Sequence, residues 1–231
     1  DDIVRCARFV KPGTDETIAT MVEWGNHPET LGGDNPLLTS DFCHYWREGV
    51  ENGVGEPNGV QGLGGMCLYF QGMVGGLMTQ LHTTVPHRDG KQTFSEGTFE
   101  KAQALGENLA IKTVKALRGT DAKKMTGKTV AVVAKSVFIE PKPIFKLALL
   151  TGLVHPSLYG WFKFRTEVDA IRVGGIEIAT WPGEVYSEIG YGGIEAPSGQ
   201  DFFISPVETP PIYSEMSGEL NMLMGLANDE I

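Results

Sequence analysis

The sequence predicts a mixed α/β fold, in which a mixed β-sheet core is flanked by helices. Three observations lead to this prediction: short apolar runs of strand length, two longer segments with helical periodicity, and turns rich in glycine and proline between them. No internal repeat is apparent. A length of 231 residues is enough for one large domain or two small ones.

Two strands and a helix are predicted in the N-terminal quarter. The first strand lies in DIVRCARFV, and the turn residues KPGTDE lead from it into TIATMVEW, whose alternating pattern suits a hairpin partner. A helix is predicted over TSDFCHYWREGVEN, with Ser40 or Asp41 as its N-cap. Phe42, Tyr45 and Trp46 share one face of that helix.

The middle of the chain alternates glycine-rich and regular segments. Glycine is too dense in GVGEPNGVQGLGG for a regular element, and MCLYFQG predicts a buried strand. The clearest helix is SEGTFEKAQALGENLAIKTVKALRG, with Ser95 or Thr98 as its N-cap and Gly119 at its end. Its apolar stripe is expected to be core and consists of Phe99, Ala102, Leu105, Leu109 and Leu117.

The C-terminal half contains the strongest hairpin signal. A strand is predicted in KTVAVVAKSVFIE, and HPSLYGWF, which includes His155, predicts a loop or lid. The runs EVDAIRV and IEIATW are joined by Gly174-Gly175, which favours a tight turn between paired strands. The strand then ends at WPGEVYSEIG, which leaves Glu184 just beyond it.

Composition excludes several classes of function. The formal net charge of -10 argues against non-specific affinity for nucleic acid or anionic lipid, because both need a basic surface. The sequence contains no run of about 18 apolar residues, so it predicts no transmembrane segment. The glycine-rich loops lack the GK[ST] of a phosphate-binding loop.

The three cysteines fit neither a disulfide framework nor a zinc knuckle. They are odd in number and have no CxxC spacing. We therefore expect Cys6, Cys43 and Cys67 to be buried free thiols.

Two polar residues occupy similar places beyond strands. His27 lies in GNHPETLGGDN, directly after TIATMVEW, and Glu184 follows IEIATW. Ends of strands commonly carry functional residues, and imidazole and carboxylate are both good zinc ligands. The spacing alone leaves His27 open to three interpretations, namely a metal ligand, a general base or an ordinary turn residue, and Glu184 is equally readable as a helix-capping residue.

Five segments, in order, resemble the neutral/alkaline non-lysosomal ceramidase family. They are MVEWGNHPETLGGDNPLLTSDFCHYWREGVE, CLYFQGMVGGLMT, FEKAQALGENLA, IEIATWPGEVYSEIG and GLANDEI. The first resembles the family's metal-binding stretch, and the fourth resembles its Pro-Gly-Glu strand end. The resemblance covers most of the chain and implies that residues 1–231 form a single ceramidase-like α/β catalytic domain that is incomplete at both ends.

What the resemblance implies is a zinc-dependent hydrolase. His27 matches a zinc-binding histidine and Glu184 matches the zinc-binding glutamate, so one zinc ion is expected, with its remaining ligands outside this chain. The implied reaction is cleavage of an amide-type N-acyl bond by a metal-activated water. The implied partners are a small or lipid-like N-acyl substrate and the remainder of the same protein as a separate chain, and the implied location is secreted or periplasmic.

One loop departs from the family's pattern. Where ceramidases carry Gly-Asp-x-Ser-Pro, this chain has Gly75-Gly76-Leu77-Met78-Thr79, so the acidic residue and the serine are both missing. Thr79 is a weak candidate for a replacement hydroxyl, because the aligned residue is Met78. The departure argues against ceramide as the substrate and supports an alternative, a non-catalytic ceramidase-like binding or structural module.

Three further residues are candidates for contacts with substrate or with the metal ligands. His82 and His87 flank TTVP in a polar loop, and Tyr186 lies close to Glu184 in sequence. Each of the three is equally consistent with an ordinary loop or packing role.

Overall fold

A computed structural model describes residues 3–76, 78–153, 158–159, 163–192 and 210–229. Most of the segment predicted to be a loop or lid, including His155, lies outside the described residues, as does Leu77.

The described residues form strands and helices in mixed order. The strands are β1 (Arg5–Val10), β2 (Thr17–Trp24), β3 (Gly53–Val54), β4 (Val60–Gln61), β5 (Met66–Gln71), β6 (Val85–Pro86), β7 (Thr93–Phe94), β8 (Val130–Ile139), β9 (Leu158–Tyr159), β10 (Lys163–Val173), β11 (Ile176–Thr180) and β12 (Leu220–Met224). The helices are α1 (Phe42–Asn52), α2 (Phe99–Arg118), α3 (Pro143–Leu150), α4 (Ser187–Tyr191) and α5 (Ile212–Glu215).

Two larger sheets are both mixed. The first sheet has the order β1-β2-β5, in which β1 and β2 are antiparallel and β2 and β5 are parallel. The second sheet has the order β12-β11-β10-β8, with β9 also paired to β10, and its β11–β12 pair is parallel. The predicted mixed α/β fold class is confirmed.

The alternation along β2 places the first sheet between two apolar cores. Val22 and Trp24 face α1 and α2, where they pack with Phe42 and Trp46. Met21 points to the opposite face. There, a second core joins the two sheets and consists of Ala7, Met21, Ile176, Ile178, Met222 and Met224. The resulting order of layers is helices, first sheet, second sheet.

Most elements form where the sequence predicts them. The β1–β2 and β10–β11 hairpins are confirmed, and Gly174 has the positive φ (63°) that the turn between β10 and β11 requires. Asp41, the predicted alternative to Ser40, caps α1 by accepting from the Phe42 amide at 2.7 Å. Thr98 caps α2 by accepting from the Lys101 amide.

Three expectations were wrong. The glycine-rich segment GVGEPNGVQGLGG contains the short β3–β4 hairpin, because its glycines permit a tight return. The strand β5 was expected to be buried, but only Cys67 of its first three residues is; Met66 and Leu68 point to the opposite face, where no buried core of the described residues covers them. Phe99 is exposed as well, since it is the first residue of α2.

The cysteines are free thiols, as predicted. Cys43 and Cys67 are buried, whereas Cys6 is half-buried. Burial raises the pKa of Cys6 to about 11 and those of Cys43 and Cys67 to about 12. No helix in the described part of the chain has both the length and the apolarity needed to cross a bilayer.

We expect Gly106→Ala to destabilise the fold where α1 and α2 touch. A methyl group at Gly106 would lie 2.6 Å from the Phe42 carbonyl oxygen and 2.7 Å from the Trp46 amide nitrogen. Relief of this overlap costs about 1–3 kcal/mol, more than alanine's gain in helix propensity of about 1 kcal/mol. Urea denaturation should show the loss, while Gly33→Ala, where nothing lies within 4 Å, should show none.

Candidate metal centre

The structure brings His27 and Glu184 into contact. His27 lies just beyond β2 in the first sheet, and Glu184 lies just beyond β11 in the second. The Nε2 atom of His27 is 3.1 Å from Oε1 of Glu184, although 157 residues separate them in sequence. His27 is partly buried and Glu184 is exposed, so the pair lies at the surface where the two sheets end together.

A single loop after β5 contacts both His27 and the segment that follows Glu184. At one end of this loop the Gly75 amide donates to the Val185 carbonyl at 2.8 Å, and Gly75 forms a bridge with Tyr186. At the other end the His27 amide donates to the Met78 carbonyl at 2.8 Å. The glycine at 75 is required because a side chain there would meet the backbone of Tyr186. The loop that departs from the ceramidase pattern is therefore the one that aligns the candidate ligands.

Both ring nitrogens of His27 face oxygen acceptors. Nδ1 is 2.9 Å from the Met78 carbonyl oxygen, and Nε2 faces the Glu184 carboxylate. A neutral imidazole carries one N–H and satisfies only one of these acceptors. When the Nδ1 proton is donated to the Met78 carbonyl, Nε2 has no proton to share with the Glu184 carboxylate. A cation between Nε2 and the carboxylate, either a second proton or a metal ion, satisfies both groups.

The electrostatic balance agrees with this geometry. Partial burial acts to lower the pKa of His27, but the Met78 carbonyl and the carboxylates of Glu184 and Glu29 outweigh it and raise the pKa above the ordinary 6.5. The surroundings of the ring thus favour positive charge.

The contact involves two potential ligands. Within the described ranges no group of three or more His, Cys, Asp or Glu residues is arranged to hold a metal ion. His27 and Glu184 are therefore a pair and not a complete coordination shell.

The remaining predicted residues have identifiable surroundings. The hydroxyl of Thr79 accepts from the Leu81 amide at 3.0 Å, which is a turn contact. Tyr186 is exposed, and its ring lies beside Gly75 and Gly76. His82 is an exposed turn residue.

His87 contacts residues of its own turn. It follows β6, and its Nδ1 lies 3.0 Å from a carboxylate oxygen of Asp89. Its ring meets the ring of Phe94 edge-on at 6.2 Å. The structure thus brings Tyr186 next to the loop after β5, which contacts His27, while His87 contacts Arg88, Asp89 and Phe94.

Sequence reasoning missed the polar network behind His27. Buried Asn26 donates from Nδ2 to the His27 carbonyl at 3.0 Å, and Gln71 donates to the Asn26 carbonyl at 3.1 Å. Fully buried Lys101 donates to the carbonyls of Gln80 and Leu81. A lysine on the inner face of a predicted core helix was the available signal, since a buried ammonium group needs partners.

A groove opens along β5 and α1. Its volume is about 570 Å³, and its lining includes Pro28, Cys43, Arg47, Tyr69 and Phe70. Pro28 follows His27 in the sequence, whereas His27 and Glu184 themselves do not line the groove.

We expect Gly75→Ala to lower the pKa of His27. The added methyl group would lie 2.6 Å from the Tyr186 amide nitrogen and 2.7 Å from its ring, so residues 184–186 must shift away. The carboxylate that raises the pKa of His27 would then be farther from the ring. NMR titration of the His27 imidazole in metal-free protein measures this change.

Two reference variants make that titration decisive. Glu184→Gln should lower the pKa of His27 directly, and Gly55→Ala, which places its methyl group in open space, should leave it unchanged. If Glu184→Gln lowered the pKa and Gly75→Ala did not, the loop would not be what positions Glu184.

Comparisons with known proteins identify structural neighbours. No family model matches this chain, and no curated protein matches its sequence. The structure is similar to the crystal structure of a neutral ceramidase from Pseudomonas aeruginosa, with a TM-score of 0.49 and 14% identity over 78% of this chain and 34% of that chain. It is also similar to a ceramidase complexed with C2, with a TM-score of 0.49 and 13% identity over 78% of this chain and 36% of that chain. The chain thus spans about a third of the length of the ceramidases to which its structure is similar.

Proposed function

We propose that this chain carries part of the active site of a zinc-dependent hydrolase that cleaves an amide-type N-acyl bond. His27 and Glu184 are two ligands of one zinc ion in this proposal. The observation that carries it is the position of Nε2 of His27, which faces a carboxylate at 3.1 Å while Nδ1 faces a backbone carbonyl at 2.9 Å.

The two side chains fit zinc by chemistry and by surroundings. Imidazole nitrogen and carboxylate oxygen are common zinc ligands, and a ligating histidine usually donates its other N–H to a carbonyl or carboxylate. Met78 supplies that carbonyl. Zinc held there would supply Lewis acidity, which polarises an amide carbonyl and activates water near neutral pH.

The chain's own residues position the reactants. The Met78 carbonyl fixes the tautomer and the plane of the His27 ring, and Gly75 fixes the segment that carries Glu184. The groove beside Pro28 gives an acyl chain an apolar wall from Tyr69 and Phe70. Tyr186, beside the loop, is proposed to contact the substrate.

The remaining zinc ligands are proposed to come from outside this chain, either from an adjoining part of the same protein or from a separate chain. The sequence resemblance supports this idea, because the further ligand positions of the family lie beyond the matched segments. Location outside the cell or in the periplasm belongs to the same proposal.

A second candidate function is a non-catalytic ceramidase-like module. One observation favours it: the loop at residues 75–79 has neither the acidic residue nor the serine of the ceramidase loop, and the hydroxyl of Thr79 is engaged by the Leu81 amide. Such a module keeps the fold and binds a ligand without turnover.

Zinc content and turnover together test these functions. The sample is the longest natural form of the protein that contains this chain, purified without chelator. A hydrolase should contain about one zinc per molecule by elemental analysis and should hydrolyse simple N-acyl substrates with a rate that chelator abolishes. Zinc without turnover would favour the non-catalytic module, and a folded sample free of zinc would refute the metal assignment.

A further inference from the structure

The helix α3 exposes nearly all of its large apolar side chains. Ile144, Phe145, Leu147 and Leu150 are between 55% and 70% exposed, and Leu153, just beyond the helix, is 81% exposed. Leu149 is the buried residue of the helix. Burial of such a side chain contributes about 1.5–3 kcal/mol. Covering α3 with an apolar environment would therefore be strongly favourable.

The exposed residues are distributed around the helix. At 100° per residue, Ile144, Leu147 and Leu150 form one stripe about 120° wide, and Phe145 extends the exposed apolar arc to about 220°, while Leu149 lies beside Phe145 and faces the protein. A groove on a partner protein typically receives one apolar stripe. An exposed apolar arc of about 220° is wider than one such stripe and suits lipid, which can surround the side chains that enter it.

Positive charge accompanies the apolar surface. Lys142 and Lys146 lie in a stretch from Pro141 to Leu153 that has no acidic residue. The Lys146 ammonium group lies 2.6 Å from a carboxylate oxygen of Glu140, and Lys163 acts on the same carboxylate. Two lysines thus act on one glutamate at the base of α3, and Lys142 follows that glutamate by two residues in the sequence.

The same asymmetry extends over a longer part of the sequence. Eleven of the nineteen Lys and Arg residues fall between positions 112 and 165, which contain only two acidic residues, Asp121 and Glu140. These residues are neighbours in sequence only, since in space Glu167 and Asp169 of β10 lie opposite Ser136 and Ala134 of β8. Because charges farther apart than about 10 Å are screened at 0.1 M salt, the charge that decides what α3 attracts is that of Lys142, Lys146, Lys163 and Glu140.

We propose that α3, with Leu153, is a docking element for an anionic lipid surface. The side chains of Ile144, Phe145, Leu147 and Leu150 enter the boundary between headgroups and acyl chains, while Lys142, Lys146 and Lys163 remain at the level of the headgroups. Phe138 and Ile139, exposed at the end of β8 where the chain leads to α3, extend the apolar surface. This proposal does not depend on zinc, since none of these residues belongs to the His27–Glu184 pair.

Cosedimentation of the full chain with vesicles tests the proposal. The vesicles are phosphatidylcholine alone and phosphatidylcholine with about 30% phosphatidylserine, in 0.1 M salt, which gives a Debye length of about 10 Å. Wild-type protein should bind the anionic vesicles at least tenfold more tightly than the neutral ones. Ile144→Ser with Leu147→Ser should weaken binding to anionic vesicles at least tenfold.

A second variant separates charge from apolar insertion. Lys142→Gln with Lys146→Gln should weaken binding to anionic vesicles roughly 30-fold, since each lysine near such a surface contributes about 1 kcal/mol, and should leave binding to neutral vesicles unchanged. The matched controls are Ile18→Ser and Lys91→Gln, at exposed positions outside α3. Both controls should bind like wild type.

Several results would overturn the proposal. It fails if wild-type protein binds neither kind of vesicle, or if both α3 variants bind anionic vesicles as tightly as wild type. It also fails if α3 instead mediates association with another copy of the chain, which sedimentation velocity without lipid would reveal. Circular dichroism and thermal midpoints equal to those of wild type verify that the substituted proteins are folded.

Discussion

His27→Ala is expected to remove zinc from the protein. Loss of the imidazole eliminates one proposed ligand and leaves Glu184 without its partner at 3.1 Å. Substitution of residues that merely orient zinc ligands costs about 10–100-fold in affinity, so loss of a ligand should cost at least 100-fold. Elemental analysis after dialysis against buffer of fixed free zinc concentration measures the effect on the longest natural form of the protein.

His44→Ala is the matched control for that measurement. His44 is exposed on α1, where its ring meets Tyr45 at 5.0 Å, so its loss should leave the zinc content unchanged. Glu184→Gln should weaken zinc binding as His27→Ala does. Full retention of zinc by both His27→Ala and Glu184→Gln would refute the assignment of this pair as ligands.

The second large effect is expected at the buried ion pair of Arg5 and Glu23. The two residues are direct cross-strand partners in β1 and β2, with a distance of 3.2 Å between Nη1 and Oε2. Arg5 also donates to the Tyr191 hydroxyl and lies 4.6 Å from the centre of the Tyr213 ring. The pair therefore links the first sheet to α4 and α5.

Burial sets the pH dependence of this pair. It raises the pKa of Glu23 from 4.5 to about 7, although Arg5 opposes the rise. A carboxyl group with a raised pKa binds its proton more tightly in the folded state, so its contribution to stability is complete below pH 4.5 and is lost as pH rises through 7. Between pH 5 and 8 the loss amounts to about 2–3 kcal/mol in the free energy of unfolding.

Urea denaturation of wild type and Glu23→Gln at pH 5 and pH 8 isolates that contribution. The glutamine variant cannot titrate at this position, so the other titrating groups cancel in the comparison. The stability of wild type relative to Glu23→Gln should fall by about 2–3 kcal/mol on going from pH 5 to pH 8. A difference that stays constant, or that grows with pH, would show that Glu23 has no raised pKa in the folded protein.

Arg5→Met removes the cation of the same ion pair and should destabilise the protein in a pH-dependent way. At pH 8 it leaves Glu23 buried and charged without its cation, which costs about 3–5 kcal/mol. At pH 5 the cost should be smaller, because a protonated Glu23 needs no cation. Lys11→Met, which breaks the exposed pair with Glu16 at 3.3 Å, should cost less than about 1 kcal/mol at either pH.

Local patterns were sufficient for most of the secondary structure. The hairpins β1–β2 and β10–β11 and the capped helices α1 and α2 follow from alternation, periodicity and cap residues within a few positions. Two of the three errors arose at Phe99 and along β5, where exposure depends on which elements lie nearby. Alternation and periodicity describe a segment's own faces and contain no information on neighbouring layers.

The charge distribution shows a similar division. Net charge predicted no attraction to anionic lipid, whereas the basic stretch around α3 and the exposure of Ile144 and Leu147 support the opposite for one surface. The basic stretch can be recognised in the sequence. The exposure of the apolar residues cannot, because a buried core helix would have the same apolar pattern.

The sequence by itself determined the mixed α/β class, the main strands and helices, and the choice of His27 and Glu184 as residues to consider. Only the tertiary structure decided that these two side chains meet, because 157 residues separate them and no local pattern encodes a contact between the ends of two different sheets. The tertiary structure also decided that Nδ1 of His27 faces the Met78 carbonyl oxygen and that Glu23 is buried in an ion pair with Arg5. The His27–Glu184 contact depends on the stacking of the two sheets, which is fixed by the packing of the cores. The other two contacts depend on which strands pair within the first sheet, and neither arrangement is encoded in a single segment.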